Sequence, residues 1–277
     1  MKAAWNELLN ILPPWMRDEV DKQGKMTLQE IRLRLGKNVK MILSDKSLSF
    51  GREIQQQDLQ YVINSSCRYS PWTVASTTQG YITAPGGHRI GLCGEINLRE
   101  GQMSGFATIR SLNIRVARDF PGISGNLWLR NENILILGPP GSGKTTLIRD
   151  LIRQFSQKEN VSVVDERGEI FPIGAPFSTG DNTDVLSGCS KASGLNMMIR
   201  TMNPCYVAVD EITQEEDCQA LVQAGWCGIS LLATAHASSV LDFRSRPVYR
   251  DLVHSGLFKT AVVLQPDKSW NLERIAI

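Results

Sequence analysis

The sequence predicts an α/β fold with a mainly parallel sheet in its C-terminal part, preceded by a smaller α+β domain. Three observations carry this expectation. Short, β-branched, non-alternating apolar runs at residues 134–137, 161–164, 206–209, 229–233 and 261–264 read as strands covered on both faces. Amphipathic stretches at 145–155, 185–202, 214–226 and 240–254 lie between them, as helices crossing between parallel strands would. The pattern before them is different, and the change falls at Asp119-Phe120-Pro121-Gly122-Ile123-Ser124-Gly125, a turn-rich segment that reads as a linker. We therefore expect one domain over residues 1–120, a linker over 121–130 and a second domain over 131–277.

Within the first domain, Trp5, Leu8, Leu9 and Leu12 keep helical spacing up to Pro13-Pro14, and a short second helix runs through Met16 and Val20. Residues 31–35 alternate strictly, Gly36-Lys37-Asn38 turns the chain, and residues 39–43 follow as the partner strand of a hairpin. A helix is expected over 57–67, a second hairpin from 80–83 and 89–92 across Pro85-Gly86-Gly87, and a last strand over 107–116. Neither an internal repeat nor a low-complexity tract interrupts either half.

The 277 residues are 42% apolar and 21% charged, which excludes a disordered, collagen-like or coiled-coil chain. No run approaches the roughly 18 apolar residues that a membrane span needs. The start meets Glu7, Asn10 and Pro13-Pro14 too soon for an export signal, so a cytoplasmic protein is expected. Six cysteines show no C-x-x-C spacing and read as reduced, mostly buried thiols; His88, His236 and His254 have no zinc spacing. The net charge of +2 hides an asymmetry. Residues 1–130 carry 17 Lys and Arg against 11 Asp and Glu, whereas residues 131–277 carry 13 against 17. A basic half beside an acidic half is compatible with nucleic acid, with a membrane surface, or with the two halves meeting across subunits.

The most specific signal is Gly138-Pro139-Pro140-Gly141-Ser142-Gly143-Lys144-Thr145-Thr146, with a strand before it and an amphipathic helix after it. This is the G-x-x-x-x-G-K-T phosphate loop in its proper context. Its glycines let backbone N–H groups curl around nucleotide phosphates, the helix N-terminus adds partial positive charge, and Lys144 adds a full one. Thr145 would supply a hydroxyl to a Mg²⁺ ion. ATP and Mg²⁺ are the cofactors this loop implies.

A Mg²⁺-nucleotide site also needs carboxylates at the ends of neighbouring strands. The run 161–164 leads into Asp165-Glu166-Arg167-Gly168-Glu169, and the run 206–209 leads into Asp210-Glu211. Parallel strands bring such acids to the rim that holds the phosphate loop. Asp210 and Glu211 most simply take the metal side, with Asp210 as ligand. Glu169 is the choice for activating water, with Glu166 and Glu211 as rivals. The strand 229–233 ends in Thr234-Ala235-His236-Ala237 on the same rim, where Thr234 or His236 would sense the γ-phosphate.

In this order, the loop, the acidic box 165–169, Asn203-Pro204-Cys205 leading to Asp210-Glu211, and Thr234-Ala235-His236-Ala237 resemble the secretion and traffic ATPases of type II and type IV systems and pili. Gly87-His88-Arg89-Ile90-Gly91 and Ser111-Leu112-Asn113-Ile114-Arg115-Val116 resemble the arginine-bearing strands that precede the motor domain in that family. The phrases around 164–170 and 208–212, with the chain length, are similar to the sporulation branch. The resemblance implies a RecA-like P-loop core and a hexameric ring. It also implies ATP hydrolysis that energises a membrane channel complex during endospore formation, with integral-membrane partners and a peripheral place at the mother-cell face. It carries Lys144 and Thr145 over as phosphate and Mg²⁺ ligands, and Glu169, Glu211, His236, Arg89 and Arg115 as catalytic residues, with Arg110 a further arginine. This chain departs from many members in having Asp210-Glu211 for Gly-Glu and Glu166-Arg167 for Asp-Pro, and it has no four-cysteine zinc insert.

On this reading the basic half would bring guanidinium groups to the γ-phosphate, where charge develops on transfer. Two other classes compete: a RecA-like ATPase that handles nucleic acid, and a scaffold that binds ATP with little turnover. Nucleic acid is the less favoured partner, because Tyr69, Trp72 and Tyr81 are the only stacking candidates in the basic half.

Overall fold

Residues 1–67, 80–125, 127 and 132–275 are described by a computed structural model. They form two units, Met1–Asp119 with Pro172–Phe177, and Phe120–Phe171 with Ser178–Ile277. Of the expected linker, residues 126 and 128–130 lie outside the described residues, as do Tyr69 and Trp72.

The first unit begins with α1 (Trp5–Ile11) and α2 (Pro14–Thr27). Pro14 opens α2, where a missing N–H costs nothing. The strands β1 (Leu28–Arg34), β2 (Asn38–Leu43) and β3 (Ser47–Glu53) follow, then α3 (Gln56–Cys67), β4 (Tyr81–Thr83), β5 (Arg89–Arg99) and β6 (Gln102–Arg115). They make an antiparallel sheet in the order β3-β2-β1-β6-β5-β4. Alternation decides which face is buried. Ile31, Leu33, Val39, Met41, Leu112 and Ile114 point inward and pack with Leu8, Leu12, Met16, Leu59 and Val62 of the helices. His88 is fully buried. The Ala117 N–H donates to its Nδ1 at 3.1 Å, which leaves the proton on Nε2 for the Ala4 carbonyl at 2.8 Å. Burial pulls its pKa below the ordinary value. Here His88 supports the fold. β3 escapes the sequence pattern because most of its residues are exposed, and β5 runs well past residue 92 as a long hairpin with β6.

The second unit contains β7 (Ile134–Leu137), α4 (Lys144–Phe155), β8 (Val161–Asp165), β9 (Thr183–Ser187), α5 (Lys191–Thr201), β10 (Tyr206–Ile212) and α6 (Glu215–Trp226). It continues with β11 (Ser230–Ala235), α7 (Val240–Ser245), α8 (Arg250–Ser255), β12 (Thr260–Leu264) and β13 (Trp270–Arg274). The sheet order is β13-β12-β7-β11-β10-β8-β9, and all pairs are parallel except β12 with β13. The expected mainly parallel sheet is therefore present. Every residue of β7 and β8 is buried, as strands covered on both faces require. Because β7 neighbours β11 and not its successor β8, the C-terminal ends of β7, β11, β10 and β8 form one rim with a crevice.

Three expectations need correction. The stretch 185–202 is not one helix: residues 183–187 form β9, and α5 starts only after Ser190 caps it by accepting from the Ser193 N–H. The stretch 240–254 is broken at Pro247 into α7 and α8, since proline cannot continue the helical hydrogen bonding. The thiols are not mostly buried: Cys218 is, but Cys93, Cys205 and Cys227 are exposed, lying on the β5 hairpin, at the entry to β10 and at the end of α6. Among the described residues, no helix is long and apolar enough to cross a membrane.

One buried polar knot holds the start of the second unit. Asp150 of α4 is fully buried and accepts the Gly122 N–H at 2.8 Å, the Ser124 N–H at 2.8 Å and the Ser124 hydroxyl at 2.7 Å, with Arg153 at 3.1 Å. Removing the carboxylate takes the acceptor from three buried donors, while Arg153 keeps the Ser178 carbonyl at 3.0 Å. Asp150→Ala is expected to lower the unfolding free energy by about 3 kcal/mol or more in a urea titration. An unchanged midpoint would contradict this role.

Candidate functional site: the rim of the parallel sheet

The phosphate loop leaves β7 at Gly138 and re-enters helix at Lys144. Gly141 and Gly143 take φ of +76° and +103°, which other residues rarely adopt, and a Cβ at either would meet nothing within 4 Å. Backbone conformation, not crowding, is what calls for glycine at both positions. Lys144 is 5% exposed, and its Nζ donates to the carbonyls of Gly138 and Pro139 at 3.0 Å each. Burial pulls its ammonium below the ordinary pKa, with Asp210 and Glu211 opposing that pull.

The same ammonium stands 3.0 Å from His236 Nδ1. Lysine can only donate, so Nδ1 accepts and the ring proton belongs on Nε2, aimed at Glu211 Oε1 at 2.8 Å. Glu211 Oε2 in turn receives Arg167 at 2.9 Å. Burial pushes the Glu211 carboxyl up, but His236, Arg167 and Lys144 together hold it below its usual value.

Asp210 joins three elements. The Thr145 hydroxyl at the start of α4 donates to Oδ2 at 2.6 Å, and the Thr234 hydroxyl of β11 donates to Oδ1 at 2.5 Å. Thr234 also accepts the Glu211 N–H at 2.8 Å. In a regular strand, consecutive side chains point to opposite faces, so Asp210 and Glu211 could not share a cleft. A bulge solves this: the β10–β11 register slips between Val209 and Ile212, and Glu211 sits at φ +56°. Such a backbone costs about 1–3 kcal/mol and persists where its surroundings hold it.

The acidic box forms the far wall. Asp165, Glu166, Arg167, Glu169, Lys191, Asp210 and Glu211 line one small cleft. Asp165, 2% exposed, accepts the N–H groups of Glu169 and Phe171 at 2.8 Å each and so shapes the turn. Glu166 pairs with the buried Lys191 at 2.5 Å, which also faces Asp217 at 3.5 Å.

The structure therefore joins Thr145 to Asp210 and Lys144 through His236 to Glu211, and places Glu166 and Glu169 in the cleft that Asp210 and Glu211 line. Arg89 and Arg115 belong to the first unit, where they face each other across β5 and β6. Arg89 lies 4.1 Å over the Tyr81 ring, and Arg110 pairs with Glu95 at 2.6 Å. Lys191 and Arg149 were missed from sequence. For Arg149 no signal existed, since Arg149 and Asp150 fall on the polar side of α4, opposite the arc of Leu147, Ile148, Leu151, Ile152 and Phe155.

A family model described as sporulation stage III, protein AA, matches residues 5–272. The chain belongs to that family. It is 37% identical over 268 residues to Stage III sporulation protein AA of Bacillus subtilis (strain 168), spanning 89% of this chain and 86% of that one. Among solved structures, the ATPase DotB of Legionella pneumophila matches with a TM-score of 0.61 at 17% identity, over 95% of this chain and 80% of that chain. The pilus retraction motor PilT with bound ADP matches at 0.56 and 15% identity, over 89% and 76%. The fold is that of RecA-like secretion ATPases.

The residues fit a magnesium-bound nucleoside triphosphate. The loop is open where a Cβ would meet nothing, a lysine stands beside it, and a hydroxyl and a carboxylate suited to a hard cation already touch. The Ser142 hydroxyl is buried within the loop with no hydrogen-bond partner among the described residues.

Burial pushes the Asp165 carboxyl up from 3.8 to about 6. The folded protein then holds this proton more tightly than the unfolded chain. The group adds stability as pH falls through about 6, fully so below about 4. Between pH 7.5 and 5 this gain amounts to about 1.4 kcal/mol. Asp165→Asn lacks it, so urea unfolding at the two pH values should show wild type gaining on the variant by about that amount at pH 5. A difference independent of pH would contradict the placement of this carboxyl.

Proposed function

We propose that this protein is a Mg²⁺-dependent ATPase of the secretion-motor kind. The observation that carries the reading is the contact of Thr145 with Asp210, a phosphate-loop hydroxyl on a strand-end carboxylate, beside the Lys144–His236–Glu211 chain. Lys144 and the loop from Gly138 to Thr146, with the N–H groups at the start of α4, would hold the triphosphate. Thr145 and Asp210 would hold the metal with its waters. Bound Mg²⁺ neutralises the phosphate oxygens and draws charge from the bond that breaks.

Glu169 takes the proton of the attacking water. Glu169 is preferred to Glu166 and Glu211 because it matches the catalytic glutamate of the acidic box that the secretion ATPases share, and because it lines the cleft with Asp210 and Glu211. His236 ties the position of the Lys144 ammonium to that of Glu211, so a change at the loop is felt at β10. Arg89 and Arg115 would supply positive charge to the transferring phosphoryl group when the site closes in a hexameric ring. Membership of the sporulation stage III, protein AA, family supports a role in sporulation, where the ring would act peripherally on integral-membrane proteins of a channel complex at the mother-cell face. Tyr81, already covered by Arg89, adds no support to nucleic-acid binding.

Lys144→Ala is expected to weaken ATP binding by about a hundredfold while leaving the unfolding midpoint near wild type. Glu169→Gln should keep ATP binding and lose about 10²–10³-fold in turnover, read by phosphate release. A Lys144→Ala protein that hydrolyses ATP at the wild-type rate would place the chemistry elsewhere.

A further inference from the structure

Arg149 is a buried cation that the chemistry above does not use. It is 4% exposed in α4, and a cation buried that far carries a desolvation cost that its partners must offset. Its position is one helical turn beyond Thr145, so the two side chains leave α4 on nearly the same face. Nη2 donates to the Glu169 carbonyl at 2.9 Å, and Nε donates to the Ile170 carbonyl. From the other side, Asp165 accepts the N–H groups of Glu169 and Phe171. The backbone that bears Glu169 is thus gripped by its carbonyls from α4 and by its amides from β8.

A planar guanidinium suits this task, because two of its donors reach adjacent carbonyls in a fixed geometry that a lysine ammonium cannot copy. We infer that Arg149 is a positioning residue for Glu169, locking the Glu169–Ile170 backbone to the helix that carries Lys144 and Thr145. The phosphate loop and the carboxylate that acts on water then move as one body. This rests on Glu169 acting on water, as proposed above.

The test uses Arg149→Lys, which keeps the charge and loses the two-carbonyl fork, together with Arg149→Met and Glu169→Gln. In nucleotide-free Arg149→Lys, amide hydrogen exchange at Glu169 and Phe171 should quicken about tenfold or more, while the later turns of α4 exchange as in wild type. ATP affinity should stay within about twofold, and kcat should fall about tenfold or more at unchanged KM, because a small misplacement of a reacting group is costly. Added to Glu169→Gln, Arg149→Lys should cause no further loss. If both Arg149 variants turn over like wild type while Glu169→Gln is inactive, this inference is overturned and the reading of Glu169 stands. If Glu169→Gln itself turns over at the wild-type rate, the reading of Glu169 fails first. Loss of ATP binding and turnover in proportion to lost stability in both Arg149 variants would make Arg149 a support of the fold alone, and would also overturn the inference.

Discussion

The rim of the parallel sheet depends on one carboxylate. Asp210 receives the hydroxyls of Thr145 from α4 and Thr234 from β11, and so fixes the phosphate loop's helix against two neighbouring strands. Neither hydroxyl is remote from the loop or the bulge: Thr145 is the second residue of α4, and Thr234 also holds the Glu211 amide. Without Asp210, Thr145 and Thr234 would lose the acceptor they share, and Thr234 is the residue that holds the amide of the strained Glu211. The loop helix would also lose its nearest anchor.

Around that anchor the charges are arranged in pairs. Glu166 has Lys191, and Glu211 has His236 and Arg167. Asp165 is pushed up chiefly by its burial, against the pull of the Phe171 and Ile170 amides, while Asp210 and Arg149 act more weakly in opposite directions. Five carboxylates on one rim would repel each other strongly if their cations were absent. The rim is acidic enough to favour a hydrated divalent cation and still compensated enough to fold. Lys144 shows the same economy. Its ammonium bonds two carbonyls of its own loop and His236, contacts that are easily exchanged for phosphate oxygens.

Much of this was legible in the residues. The central strands announced themselves because burial on both faces demands unbroken apolar runs, and the phosphate loop because its glycines and lysine have few other uses. What escaped was at the edges. β3, β9 and β13 are edge strands with little buried surface; the alternations in β3 (Leu48, Phe50) and β13 (Trp270, Leu272) are only two apolar residues long, and Thr183–Ser187 carries none. The bulge at Asp210-Glu211 has no sequence signature, because either acid alone could sit at a strand end. Lys191 reads as an ordinary helix-start lysine; only the fold brings Glu166 and Asp217 to it. The exposed cysteines were misjudged because residue type predicts average burial, while Cys205 and Cys227 occupy the entry of a strand and the end of a helix.

The most direct measurement concerns the metal. Mn²⁺ can stand in for Mg²⁺, and electron paramagnetic resonance reads its binding in the presence of a non-hydrolysable ATP analogue. The account predicts that wild type binds Mn²⁺ tightly only with the analogue present, and that Asp210→Asn weakens this nucleotide-dependent binding by about tenfold or more. Equal Mn²⁺ affinity in the two proteins, or affinity indifferent to the analogue, would contradict it.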